Sequence, residues 1–457
     1  MTSDSRRNSA VGSGTMGKVV SWGAAVQSMA WGVAERVIAL APALAATLVA
    51  ARVLAPAEFG QLNLLLALVT ILTTVATAGL RDVSTRALAR GGHSLQAVRN
   101  IAQAVAFTSF VALCIAIAVG AALVDDLAGR IALVVLAIRL VVLPLEAPIA
   151  WFYASVDLRR LALVRATSSA VLLAGLAAAY AFAPTIVGFA AVWALEAFAW
   201  SCAITWAYLA FRPRSLAAAP APKAVDLLRE SLPLMLSSVS VVLYVKIDQV
   251  MLPSLASAHA AGIYAAAARL SEAAYFLPGV VGAVVFPMFV RSAANPGSSP
   301  VTQEHRSIQD LLVFGALATM GFCWFFADAL IQLTYGAAYA ASADVLRIHI
   351  CAYAFVCLGV IRGRWLLAHG MVRFEAMATA SGAVINIALN VVLIPVWGAE
   401  GAAWATVISY AISGYVTSAL AAPLRPVFLA QSAALLSPVT LPVAAAMWII
   451  RRRSARN

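Results

Sequence analysis

Charged side chains make up only 11% of the 457 residues, where soluble domains carry about 25%. A soluble chain of this length needs a polar surface that this composition does not supply. Cysteine is sparse as well. The five cysteines (Cys114, Cys202, Cys323, Cys351, Cys357) lie mostly inside apolar stretches, with no Cys-x-x-Cys and no histidine partner. Buried thiols of this kind behave as small hydrophobes, so neither a disulfide framework nor a metal site follows. The five histidines (His93, His259, His305, His349, His369) are scattered and lack metal-ligand spacing. There is no phosphate-cradling Gly-x-x-x-x-Gly-Lys, no nucleophile motif and no pair of carboxylates on a sizeable outer loop. A glycosyltransferase or polymerase would need an extramembrane catalytic surface, and no outer loop exceeds about a dozen residues by the span count. The chain is therefore read as a non-enzyme with no metal and no cofactor.

Apolar length is abundant: 63% of residues are hydrophobic and the mean hydropathy is +0.92. A membrane span needs about 20 apolar residues. Hydropathy predicts helices near 24–53, 59–81, 100–124, 130–152, 161–183, 186–210, 230–253, 259–290, 308–333, 345–367, 374–396 and 400–421, twelve in all. A further apolar stretch, 427–450, is interrupted by Pro438 and Pro442 and is expected to lie partly in the interface or to re-enter. The polar start, MTSDSRRNSAVGSGTMGK, is followed by no small-residue cleavage site, so a removed signal peptide is not expected.

The net charge is +12, a value that in a soluble protein invites a nucleic-acid reading. Here the basic residues cluster in alternate loops. Arg81, Arg86, Arg90 and Arg99 share one loop, Arg159, Arg160 and Arg165 the next such loop, then Arg212, Arg214, Lys223 and Arg229, then Arg291 and Arg306, then Arg362, Arg364 and Arg373. The intervening loops hold little beyond Arg52, Arg130 and Arg347. Positive charge stays on the cytoplasmic side. The expectation is a multi-pass protein with its N-terminus cytoplasmic and no nucleic-acid partner.

The chain repeats itself. VLAPAEFGQLNLLLA at 53–67 resembles SLASAHAAGIYAAAA at 254–268, with Gly60 and Gly262 aligned in a small-residue turn. PTIVGFAAVWALEA at 184–197 resembles WGAEGAAWATVISYA at 397–411. Each offset is just over 200 residues, about six helices, and an even number of spans gives both halves the same orientation. The expected organisation is an all-α integral membrane protein of about twelve helices, thirteen or fourteen being possible. A cytoplasmic tail (1–22) precedes an N-lobe (23–211), a Pro-containing cytoplasmic linker (212–229), a C-lobe (230–425) and a C-terminal segment (426–457), with the pseudo-symmetric lobes around a central cavity.

Eight ionisable side chains lie within the apolar runs: Glu35, Arg36, Arg139, Glu146, Lys246, Asp248, Arg269 and Glu272. At roughly 2.5–3.5 kcal/mol each, turning all eight toward lipid would cost about 20–28 kcal/mol, more than folds of typical stability can spare. They must face one another or a wet interior, and an internal charged path points to transport. Gln27, Trp31 and Glu35 share one face of the first helix, beside Arg36. They form either an ion-pair stitch or a polar stripe on the lobe interface. In the seventh helix Tyr244 and Asp248 share a face, while Lys246 points elsewhere and cannot pair with Asp248 along the helix. With Gln249 this is the densest polar cluster in any span. Arg269 and Glu272 can satisfy each other at i,i+3. Arg139 and Glu146 flank Pro144, and Pro148 follows, so a bend is expected there.

Four stretches carry a family resemblance: ARVLAPAEFGQLNLLLALV (51–69), LPLMLSSVSVVLYVKIDQVML (232–252), AGIYAAAARLSEAAYFLPGVVGAVVFPMF (261–289) and INIALNVVLIPVWGAEGAAWATVISYAISG (385–414). They resemble the polysaccharide-exporter and O-antigen repeat-unit flippase family of the multidrug/oligosaccharidyl-lipid/polysaccharide (MOP) superfamily. The resemblance implies two six-helix lobes around a V-shaped cavity in a bacterial cytoplasmic membrane. It also implies passage of undecaprenyl-diphosphate-linked oligosaccharide between leaflets, with membrane lipid and glycan polymerase machinery as further partners. Independently, a diphosphate entering a low-dielectric cavity needs cations. Arg36, Arg139, Lys246 and Arg269 are the candidates, with Gln27, Trp31, Tyr244 and Gln249 as polar and aromatic contacts. Glu35, Glu146, Asp248 and Glu272 are candidates for ion coupling or gating. A drug or cation antiporter of the same superfamily, a lipid II flippase and a scaffold for glycan machinery are the competing readings.

Overall fold

The computed structural model describes residues 22–77, 79–90, 95–212, 221–294 and 301–436. Every regular element among them is helical. The first half holds α1 (Trp22–Val53), α2 (Pro56–Thr77), α3 (Leu80–Ala89), α4 (Leu95–Leu123), α5 (Leu127–Val142), α6 (Ile149–Ala154), α7 (Leu158–Phe182) and α8 (Ile186–Phe211). The second holds α9 (Ala224–Leu255), α10 (Ala258–Ala274), α11 (Phe276–Ala293), α12 (Gln303–Thr334), α13 (Ser342–His349), α14 (Ala352–Ala368), α15 (Val372–Ala411), α16 (Thr417–Leu420) and α17 (Arg425–Leu435). Side-chain oxygens start several of these helices by accepting a backbone N–H three residues on: Asp126 from Gly129 at 2.8 Å, Thr185 from Gly188 at 3.2 Å and Ser257 from Ala260 at 3.1 Å.

Among the described residues, eleven helical stretches are long and apolar enough to cross a membrane. One of them, Val372–Leu420, has 49 residues and would be about 73 Å long if straight, far beyond one bilayer. It turns back at Gly398, whose φ of 53° is a left-handed conformation. The two legs then run antiparallel, with Asn386 Nδ2 donating to Ser409 Oγ at 3.2 Å. Counting both legs gives the twelve crossings expected from hydropathy.

The expected helix over 130–152 is broken. α5 ends at Val142, a 3-10 turn covers Leu143–Glu146, and α6 resumes at Ile149. Pro144 and Pro148 remove backbone donors there, as anticipated. The expected helix over 259–290 likewise divides at Tyr275, three residues before Pro278. α9 begins at Ala224 rather than 230, because its polar first turns are helical although too hydrophilic to register as a span. Much of the expected linker lies outside the described residues, as does the tail beyond Leu436. What is described of the tail folds back: Gln431 Nε2 donates to Gly414 O at 3.0 Å, and Tyr415 Oη lies 2.9 Å from Ser432 Oγ. The rest of the 427–450 stretch, expected to lie in the interface or to re-enter, lies outside the described residues.

The two halves meet mainly through α2, which packs along α10 and α9. At the Pro56 end of α2 the contact is reciprocal. A Cβ on Gly60 would stand 2.0 Å from the Ala258 carbonyl oxygen, and one on Gly262 would stand 1.8 Å from that of Pro56. The two glycines aligned by the internal repeat therefore touch across the interface. Around them Phe59 packs edge-on against Tyr339 with centroids 5.9 Å apart. Tyr339 Oη donates to Leu54 O at 3.1 Å, and Arg52 Nε donates to Thr334 O at 2.7 Å. This end is closed. α1, by contrast, packs on α7, and no helix of the second half packs extensively along it.

Candidate functional site

Each half encloses one buried charge cluster. In the first, Arg165 stands two turns into α7, a helix started by the Asp157 cap. Its Nε lies 3.2 Å from Glu35 Oε1 on α1, its Nη1 lies 3.3 Å from Glu196 Oε1 on α8, and its guanidinium sits 3.4 Å over the Trp200 ring. Arg165 and Glu196, with Arg139, Thr70 and Trp193, line a cavity of about 260 Å³. Arg139 Nη2 lies 3.5 Å from Glu146 Oε1, which also accepts from Ser201 Oγ at 3.3 Å.

This geometry revises the sequence reading of the first helix. Trp31 and Glu35 turn toward α7, where the Arg159 guanidinium lies 5.9 Å from the Trp31 ring. The side chain of Gln27 lies outside the description. Arg165, counted above as a loop residue that signals topology, is the central cation of the cluster. Glu196 was overlooked, although an acid in the middle of the apolar run 186–210 was visible. Arg36 is exposed and has no carboxylate within 4 Å among the described residues.

In the second half, Lys246 Nζ reaches Glu272 at 3.0 and 3.2 Å. Asp248 is only 1% exposed. It accepts from the Tyr264 hydroxyl, from Thr406 Oγ1 at 3.2 Å and from the Gln249 backbone N–H at 2.8 Å. Lys246 and Asp248 thus find partners on other helices, as their spacing required. Glu272 prefers Lys246 to Arg269, which stands 3.9 Å away. The expected i,i+3 pair is therefore loose, and Arg269 Nε is buried without a partner among the described residues. The Gln249 side-chain amide is buried and unpaired as well.

Next to this cluster, tyrosines gather from α9, α14, α15 and the α10–α11 junction. The Tyr244 and Tyr410 rings lie 4.2 Å apart, and Tyr275 packs at 6.1 Å from Tyr410 and 5.8 Å from Tyr353. Tyr244, Tyr275 and Tyr410 line a cavity of about 440 Å³ together with Arg362, Arg364 and Glu375. Arg362, another residue read as a loop cation, is 1% exposed and donates to Ser413 O at 2.5 Å, Thr417 Oγ1 at 2.7 Å and Glu375 Oε2 at 3.0 Å. Such pairing and hydrogen bonding is what allows charge to persist in a low-dielectric interior.

Twelve crossings, two halves joined at one end and paired charges around polar cavities are the architecture of a membrane transporter. The chain belongs to the polysaccharide biosynthesis protein family, whose family model matches residues 32–293. Its fold is that of the MOP superfamily. The lipid II flippase MurJ in an inward closed conformation aligns with a TM-score of 0.70 at 13% identity, covering 92% of this chain and 93% of that one. An inward-facing multidrug resistance MATE family transporter aligns at 0.63 and 15% identity, over 89% and 95% of the two chains. A MOP superfamily transporter from Pyrococcus furiosus aligns at 0.61 and 13% identity, over 90% and 96%. No curated protein sequence matches the chain significantly.

Proposed function

We propose that this protein flips undecaprenyl-diphosphate-linked glycan repeat units from the inner to the outer leaflet of a bacterial cytoplasmic membrane, by alternating access and with its N-terminus inside. The observation that carries the reading is the cationic, tyrosine-lined cavity of the second half, walled by Arg362 and Arg364, with Arg36 exposed on the α1 face that the second half leaves largely uncovered. Cations lining a cavity favour an anion within it, and a diphosphate offers the geometry that guanidinium groups bind best. The polyprenyl tail stays in lipid, so only phosphate and sugar need the polar path. With the N-terminus inside, the Pro56 end lies at the outer face, and the arrangement described is closed outward. The unpaired arginines favour an anionic substrate over the cationic drug of an antiporter. A lipid II flippase shares the diphosphate chemistry and differs in headgroup.

Replacing Arg36 or Lys246 by Ala is expected to abolish surface glycan while the protein still inserts. A lipid-linked intermediate should accumulate, as it should on deletion of the gene. Normal glycan in both variants discards the assignment, and accumulation of lipid II instead points to cell-wall synthesis.

The driving force follows from charge. With the interior negative, a dianion moving outward uncompensated gains about 4–5 kcal/mol at 100 mV, so reconstituted flipping is expected to accelerate with membrane potential. Transport that answers only to a pH gradient would instead assign coupling to Glu35, Glu146, Asp248 or Glu272.

A further inference from the structure

The cavity that α7 and α8 wall on the inside of the first half has a counterpart on the other side of the same two helices. There α7 and α8 leave a groove of about 960 Å³, at the upper end of the size of ligand pockets. Arg165, Trp193 and Glu196 point into the bundle, so the groove faces outward to the bilayer. Its walls are apolar: Leu163 is 54% and Trp206 66% exposed, with Val164 and Ala203 between them. Only one end is charged, where Arg159 and Arg160 are both exposed.

We propose that this groove holds one anionic phospholipid of the inner leaflet, with its phosphate on Arg159 and Arg160 and an acyl chain along α7 and α8. Three observations support it. The first is length. From Asp157 to Val171 the groove follows α7 for about 21 Å, and half of a 40–45 Å bilayer is about 20–22 Å. The second is the state of the cations. Asp157 engages Arg160 through one nitrogen at 2.5 Å, and Phe211 holds that guanidinium at 4.4 Å from its ring. Arg159 makes a ring contact with Trp31 and has no carboxylate partner among the described residues. The rim therefore retains positive charge fixed by aromatic rings, which concentrate at the headgroup level of membranes. The third is the side of the membrane. The positive-inside orientation places this rim at the cytoplasmic leaflet, where anionic headgroups settle in basic pockets between helices.

The test is native mass spectrometry of the full-length purified protein with dioleoyl phosphatidylglycerol, dioleoyl phosphatidylethanolamine and undecaprenyl phosphate as separate probes. One phosphatidylglycerol should be retained in preference to phosphatidylethanolamine. The double variant Arg159→Ala/Arg160→Ala should lower that retention by about tenfold or more. Ala203→Trp, which fills the groove and leaves both arginines in place, should lower retention of either phospholipid without disturbing folding. A photoactivatable phosphatidylglycerol should label the segment 199–206, which contains Cys202. Equal retention of the two phospholipids, or phosphatidylglycerol binding unchanged in both variants, overturns the proposal. Preferential retention of undecaprenyl phosphate overturns it in favour of a polyprenyl binding lane. None of these outcomes depends on whether the protein flips glycans.

Discussion

Gly262→Leu is expected to separate the two halves at the Pro56 end and to abolish export. A Cβ at this position would lie 1.8 Å from the Pro56 carbonyl oxygen and 2.7 Å from its carbon, and backbone cannot yield as a side-chain tip can. Gly60→Leu meets the mirror-image obstacle, with the Ala258 carbonyl oxygen at 2.0 Å and the Gly262 nitrogen at 2.6 Å. Overpacking at a tight contact costs about 1–3 kcal/mol or more. Between two states of similar energy, about 3 kcal/mol shifts the populations by more than a hundredfold. Bridging of Phe59→Cys and Tyr339→Cys by a short bismaleimide, in a chain stripped of its native cysteines, reports the closed end, because the two native rings pack edge to face across it, a separation too wide for a direct disulfide. The cross-link should form readily with glycine at 262 and fall at least tenfold with leucine. An undiminished cross-link would show that this contact is not the gate. Because each glycine forms one side of the same contact, the double variant should do little more than either single one.

Arg165→Met should be the most destabilising single change in the first half. Among the described residues, Arg165 is the one cation joining Glu35 and Glu196, whose side chains are 14% and 19% exposed. Removing it leaves two carboxylates facing each other without compensation and vacates the Trp200 face. Breaking a buried ion pair from one side costs about 3–5 kcal/mol. The partial wetting of the cavity places this case at the lower end. Thermal unfolding in detergent should show a clear loss of Tm, and converting both acids to glutamine in the same chain should restore most of it. No recovery in the triple variant would mean that the cost lies in packing on Trp200 rather than in charge.

The two predictions draw on different parts of the sequence. The glycine contact was legible in part: the internal repeat paired Gly60 with Gly262 as equivalent positions. That equivalence says nothing about whether they touch. They do because α2 packs along α10 at that end, a property of how the halves dock. Arg165 was misread for a different reason. The window 161–183 opened only four residues before it, and a cation near the edge of a span counts naturally as a loop residue. α7 begins at Leu158, and that early start carries Arg165 into the bundle. Arg362 was misjudged in the same way.

The choice among partners was beyond reach from spacing. Glu272 had Arg269 three residues away on its own helix and still took Lys246 from α9, and Asp248 settled on Tyr264 and Thr406. Successive residues on a helix differ by about 100° in direction, so small changes in how neighbouring helices rotate decide which groups meet.

By itself the sequence determined the twelve crossings, the need for every mid-span charge to find a partner or water, and the doubling of one half into the other. Hydropathy and burial cost act residue by residue, so they can be summed along a chain without knowing its neighbours in space. The tertiary structure alone decided which charges pair, which end is closed and which arginines line a cavity. Those depend on contacts within about 4 Å between segments far apart in sequence, and only the packing of whole helices brings such segments together.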